Sequence, residues 1–261
     1  MSKAAKRERQ RLNREARREY EERVAKRRRT LRSARRIAIF ASPVLIVLIV
    51  LAITNSGGSS SSSASSVRCQ TVKTPPAKSE HLTAPPQGIS SQVSYTATMR
   101  TTCGTIVMTL DAAHYPKAVN NFAALANQGF YDNLSFVRAA KGFVVQAGGP
   151  DQTNASGPGY TVQAETPTTH AGQSAYPIGT VAFAKSGSDP AGSAGSQFFI
   201  VTGNGAKSLP TDYAVIGTVT KGLNVAQKIE SFAPASGDGP LTKPVVIQHV
   251  TIASGSTPPS S

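Results

Sequence analysis

Residues 136–149 read Phe136-Val137-Arg138-Ala139-Ala140-Lys141-Gly142-Phe143-Val144-Val145-Gln146-Ala147-Gly148-Gly149. One arginine and one glutamine stand in a mostly apolar run, and a double glycine closes it. Arg138, Phe143 and Gln146 suit a small apolar pocket with two fixed polar contacts, the usual build of a ligand site. Further along, Gly195-Ser196-Gln197-Phe198-Phe199-Ile200-Val201-Thr202 supplies a matching strand with two more aromatics.

The surrounding chain reads as short strands. Residues 93–100 alternate and are rich in β formers, and 104–110 follow after a tight turn, which predicts a hairpin. Pro116 opens a helix. Its apolar stripe of Val119, Phe122, Ala123, Leu125 and Ala126 stops at Gly129. Further strands are expected at 135–138, 143–147, 179–185, 197–202, 213–219 and 245–252. A second short helix is expected at 223–232, with Val225, Ala226 and Ile229 inward. Residues 150–173 read as a long loop. Propensity alone leaves a sandwich and a barrel both open.

The arginine two residues after Phe136, the run from Gly142 to Gly149 and the run from Gly195 to Ile200 together resemble the cyclophilin-type peptidyl-prolyl isomerases. The resemblance covers roughly residues 93–252. It implies a mainly β fold: a closed, eight-stranded antiparallel barrel capped by two α-helices. It also implies proline-containing polypeptides as substrates. Arg138 takes the place of the family's catalytic arginine. Phe143, Phe199 and Leu209 take the places that form the proline pocket, and Val144 replaces a methionine in its wall. Gln146 and Gln197 stand where the family holds the substrate backbone. Phe183-Ala184-Lys185 replaces a Met-Ala-Asn run whose backbone pairs with the peptide. Tyr213 replaces the histidine of eukaryotic members, as in many bacterial ones, and Val137 replaces the histidine before the arginine. Ser208 stands where many eukaryotic members have a cyclosporin-contacting tryptophan, so tight binding of that drug is not expected.

The chemistry fits these residue types. Rotation about a peptide bond must break amide resonance, a barrier of about 18–20 kcal/mol. A catalyst needs a dry slot for the proline ring and a donor for the pyramidalised nitrogen. It also needs a grip on the flanking backbone. It needs neither nucleophile nor metal, and no cofactor is expected. His81, His114, His170 and His249 are scattered, without zinc-ligand spacing. Gly203-Asn-Gly-Ala-Lys-Ser208 lacks the spacing of a phosphate loop. The alternative to an isomerase is a non-catalytic proline-peptide binding module or holdase.

The net charge of +14 would suggest a nucleic-acid partner were it spread over the chain. Residues 1–36 hold 16 of the 28 Lys/Arg and only 5 of the 14 acidic residues, so the remainder is near neutral. Tyr20 is the one aromatic among the head's charges, so no interleaved series of stacking platforms forms, and nucleic acid is not expected. Residues 1–36 read as a basic, partly helical cytoplasmic head that anionic lipid headgroups could attract. Residues 37–53 carry no charge and are just long enough for a transmembrane helix. Arg35 and Arg36 precede this run, and the next basic residue is Arg68. The positive-inside rule then places the N-terminus in the cytoplasm and the isomerase domain outside the cell membrane. A cleaved signal peptide is the rival, but its charged region is normally short and a small-residue cleavage site follows its apolar core.

Residues 54–92 read as a linker, Ser/Gly-rich and then Pro-rich. The isomerase domain is expected over 93–253, with 254–261 as a disordered tail. Cys69 and Cys103, the only two cysteines, fall on the oxidising side of this topology. A Cys69–Cys103 disulfide would pin the end of the linker to the first hairpin.

Overall fold

The computed structural model describes residues 67–79, 81–168 and 174–255. The chain divides into two units, Met1–Ser63 and Ala64–Ser261. The expected head, the apolar run at 37–53, residues 54–66 of the linker and His170 lie outside the described residues. Among the described residues no helix is long and apolar enough to cross a membrane.

The first hairpin pairs β1 (Ser94–Thr101) with β2 (Gly104–Leu110). Alternation sends Tyr95, Ala97 and Met99 of β1, and Ile106, Met108 and Leu110 of β2, into one core. The turn needs Gly104, whose φ is +129° and whose added Cβ would lie 3.1 Å from Val225. The first helix, α1 (Pro116–Asn127), begins at its proline. It buries Val119, Phe122, Leu125 and Ala126 against the sheet. It ends where Gly129 takes the left-handed conformation, φ +68°, which glycine adopts without steric cost.

The other long strands are β3 (Leu134–Ala140), β4 (Val144–Ala147), β6 (Thr180–Phe183), β8 (Phe198–Val201), β9 (Val215–Lys221) and β11 (Val246–Gly255). Their hydrogen-bonded order is β3-β11-β1-β2-β9-β6-β8-β4, every neighbour antiparallel, and β4 pairs back onto β3. The sheet is therefore a closed barrel of eight strands, and closure removes its free edges. The second helix, α2 (Leu223–Glu230), buries Val225, Ala226 and Ile229. Inside lies an aromatic knot in which Phe198 meets Phe122 and Tyr131 edge-on, with centroids 5.8 and 5.5 Å away.

Three two-residue strands were not legible: β5 (Val162–Gln163), which pairs with β7 (Ser193–Ala194), and β10 (Asp238–Gly239), which adds to β3. The loop at 150–173 thus contains a strand. Two-residue strands show no alternation, so periodicity cannot reveal them. Residues 254 and 255, expected in the tail, belong to β11 and pair with β1.

The end of the expected linker packs on the barrel. Residues 67–79 and 81–90 carry no helix or strand, yet Val67, Cys69, Leu82 and Ile89 lie against the core. Cys69 is disulfide-bonded to Cys103, closing a separation of 34 residues. Pro75-Pro76 and Pro85-Pro86 make the segment read as irregular spacer, but the isolated apolar residues among them anchor it.

Candidate active site

Strand parity decides which side chains face out of the core. On β8, Phe198 points into the barrel, so its neighbour Phe199 points the other way. Phe199 pairs across β4 with Gln146 and across β6 with Ala182. On β4, Val145 joins the core, whereas Val144 and Gln146 share the face of Phe199. On β3, Phe136 points inward, so Arg138 would too in a regular strand. A bulge between Phe136 and Arg138 shifts the register, and Arg138 instead pairs with Gln146. Bulges often re-aim a side chain in this way next to active sites.

These faces open onto one cavity of about 650 Å³. Phe143, Val144, Phe199, Leu209 and Tyr213 give it an apolar lining, and Arg138, Gln146 and Gln197 a polar one. Ala184 and Lys185 also line it. The structure thus gathers every residue expected in the site except Phe183. By its parity on β6, Phe183 is fully buried in the main core. Its N–H donates to the Ala214 carbonyl at 2.8 Å. The Ala184 N–H is likewise spent on the Gln197 carbonyl, at 2.8 Å. Of the three residues expected to pair with a peptide, Lys185 is the one whose N–H makes no backbone bond among the described residues.

The polar groups form one hydrogen-bonded relay. Arg138 is held in a bidentate pair with Asp238: Nε donates to Oδ1 at 2.7 Å and Nη2 to Oδ2 at 2.8 Å. Its Nη1 reaches Gln146 Oε1 at 3.4 Å, and its guanidinium carbon lies 5.9 Å from the Phe143 ring centre. Gln146 Nε2 donates to Gln197 Oε1 at 2.8 Å, and Gln197 Nε2 donates to the Ser156 carbonyl at 2.7 Å. Such a fork fixes the guanidinium plane as a lysine could not. It leaves Nη1 as the edge turned toward the glutamines.

The apolar end is set by three rings at near right angles, with Phe199 and Tyr213 centroids 5.5 Å apart and Tyr176 edge-on to both. The Tyr176 hydroxyl donates to the Tyr213 carbonyl at 3.0 Å and accepts its N–H at 2.9 Å. Burial pushes the Tyr176 hydroxyl well above the ordinary phenol range. The Lys185 ammonium turns aside to Asp212, Nζ–Oδ2 2.9 Å, with its side chain only 5% exposed. It lies 5.4 Å from the Tyr213 ring centre. Leu209 is delivered by a 3₁₀ turn, Asn204–Ser208, the stretch without phosphate-loop spacing. Gly203 and Gly205 let that turn lie on Gly142: a Cβ on Gly203 would come within 2.4 Å of the Gly142 backbone. Ser208 is exposed and bonds back to the Gly205 carbonyl at 3.2 Å.

Asp238 and Tyr176 escaped the sequence reading. Asp238 is 100 residues from Arg138, and no local pattern links them. Tyr176 sits just before a strand, where an aromatic signals only burial.

The family model described as cyclophilin-type peptidyl-prolyl cis-trans isomerase/CLD matches residues 96–252. The chain belongs to the cyclophilin family. Its cyclophilin domain is 42% identical over 119 residues to peptidyl-prolyl cis-trans isomerase B of Bacillus subtilis, spanning 44% of this chain and 76% of that protein. It is 36% identical over 139 residues to a peptidyl-prolyl cis-trans isomerase of Helicobacter pylori, spanning 51% of this chain and 79% of the other. The probable isomerase B of Mycobacterium leprae is 36% identical over 170 residues, 60% of this chain and 56% of that one. Among solved structures, a cyclophilin-type isomerase of Cryptosporidium parvum shares the fold at a TM-score of 0.53 and 24% identity, covering 62% of this chain and 99% of that one.

Proposed function

We propose that this cyclophilin is a membrane-anchored isomerase that accelerates the folding of proteins outside the cell membrane by rotating their X-Pro bonds. The observation that carries the catalytic part is the placement of Arg138. Its guanidinium is oriented by Asp238 beside an apolar slot lined by Phe143, Phe199 and Leu209. A proline ring in that slot would lose its contact with water. Arg138 Nη1 then donates toward the prolyl nitrogen as conjugation is lost and its lone pair becomes available. Stabilising charge as it redistributes in the transition state is commonly the largest single catalytic term. Gln146 and Gln197 hold the flanking backbone, so that one side of the bond turns while the other stays fixed.

Support for the setting is independent of the site. Residues 37–53 form an uncharged apolar run with the basic cluster on one side only, which orients an anchor with its N-terminus inside. A Cys69–Cys103 disulfide suits an oxidising compartment. The basic residues 1–36 would meet anionic lipid on the cytoplasmic face.

The test is refolding of a protein limited by proline isomerisation, with the full chain and with Arg138→Ala. The isomerase reading expects acceleration by the wild type and loss of about 100- to 1,000-fold in kcat/KM for the variant, the usual consequence of deleting a preorganised donor. Peptide binding should persist. Equal, near-background rates for both proteins would instead make this a binding module.

A further inference from the structure

We propose that residues 75–79 and 81–90, which lie before the stretch matched by the family model, are a strap that sets the position of one pocket wall and thereby the affinity for polypeptide substrate. The inference rests on the isomerase reading above. The wall in question is the loop at 150–160. Its Asn154, Ala155, Ser156 and Gly157 line the cavity, and its Ser156 carbonyl receives the last hydrogen bond of the glutamine relay.

The strap grips this loop along its length. The Lys78 N–H donates to the Pro150 carbonyl at 2.7 Å, and the Leu82 N–H to the Pro158 carbonyl at 2.8 Å. These two bonds bracket the segment that lines the cavity. Between them Gln152 reaches out of the loop. Its Nε2 donates to the Pro76 carbonyl of the strap at 3.2 Å and to the Asn133 carbonyl at 3.1 Å, while its Oε1 accepts the Ser135 N–H at 2.8 Å. Gln152 is held at φ +61°, a region that non-glycine residues seldom occupy. At its far end His81 lies against Gly159, where an added Cβ would meet His81 Cα at 3.3 Å.

The strap is in turn fastened to the barrel rather than resting on the loop alone. Leu82 and Ile89 lie on the core. Asn120, a buried residue of α1, accepts the Gly88 and Ile89 N–H groups at 2.7 and 3.2 Å and donates to the Pro86 carbonyl at 3.0 Å. The Cys69–Cys103 bond holds the chain just before the strap begins. Asn121, next to Asn120 on α1, ties the same helix to the loop's end, accepting the Tyr160 hydroxyl at 2.7 Å. A loop rich in glycine and small polar residues, which would otherwise hold its shape poorly, is thus clamped between helix and strap.

Gln152 touches β3 at Ser135, but Arg138 is held by its own bidentate pair with Asp238 and meets the loop only through Gln146 and Gln197. Loosening the strap should therefore weaken substrate grip and spare bond rotation. Leu82→Gly and Asn120→Ala, each in the full chain, are assayed for kcat and KM on a proline peptide and for amide hydrogen exchange. The expected outcome is a KM raised by about five- to tenfold with kcat within about twofold, the pattern of lost uniform binding. Exchange should quicken in residues 150–160 while strands β1, β2 and β11 keep their protection. Unchanged exchange in 150–160 in both variants would overturn the strap, whatever the activity. Faster exchange there with a fall in kcat alone would overturn its assignment to affinity. If even the wild type fails to turn over, exchange and peptide binding still decide the strap, and only the isomerase reading falls.

Discussion

Phe198 and Phe199 are adjacent and chemically identical, yet strand parity gives them opposite duties. Phe198 is fully buried in the aromatic knot, and Phe199 floors the cavity. Phe198→Ala should cost about 3–5 kcal/mol of stability, as large core truncations do, with kcat/KM per folded molecule changed little. Phe199→Ala should act chiefly on KM. Denaturant melts alongside steady-state kinetics separate the two. Arg138→Lys should not restore what Arg138→Ala loses, because a lysine cannot hold both oxygens of Asp238 and still offer a planar edge to the slot. At this scale the sequence was informative where a residue acts through its own type and spacing, as with Arg138, Gln146 and Gln197. It was silent where a role depends on a distant partner, as with Asp238. It named Phe183 for its backbone and left open which barrel face its side chain takes, which strand parity sets toward the core.

At the scale of elements, the hairpin, the two helices and the long strands were legible because each carries its own period and stop signal: alternation in β1 and β2, Pro116 and Gly129 around α1. The bulge that turns Arg138 outward was not, since a register shift depends on the partner strand. Nor was the docking of residues 67–79 and 81–90, whose paired prolines and lack of periodicity mimic a free spacer. The disulfide links that segment to the first hairpin. In the chain-entropy model, a loop of 34 residues stabilises by about 3–4 kcal/mol. Paired Cys69→Ser and Cys103→Ser should therefore lower Tm by about 10 °C for a domain of this size, measured by calorimetry. An unchanged Tm would mean that packing of Val67 and Leu82 holds the segment without the covalent link.

Across the whole molecule, stability should respond to alkali through buried phenols. Burial raises Tyr131 and Tyr176 well above the ordinary range, and raises Tyr160 to about 12. A group whose folded value is raised binds its proton more tightly when folded. The stability it contributes is therefore complete below the unfolded phenol value near 10, and is lost as pH climbs through the folded one. Chemical denaturation should show little loss from these phenols at neutral to mildly alkaline pH and a progressive fall above about pH 10, with Tyr176→Phe shrinking the fall. The same scale holds the question of address. Deleting residues 1–53 should release an active domain from the membrane fraction, since the barrel and its strap begin beyond that point. Retention of the shortened protein in membranes would contradict an anchor at 37–53.

Arg138, steered by Asp238, should lower the barrier to rotation about an X-Pro bond. Exchange between the cis and trans forms of a proline peptide, followed by NMR as the full chain is added, measures that rate without any coupled reaction. Exchange should be far faster than the uncatalysed scale of tens of seconds, lost in Arg138→Ala and partly reduced in Asp238→Asn, with all three proteins still binding the peptide. Wild-type exchange at the uncatalysed rate despite binding, or full exchange in Arg138→Ala, would contradict that role for Arg138.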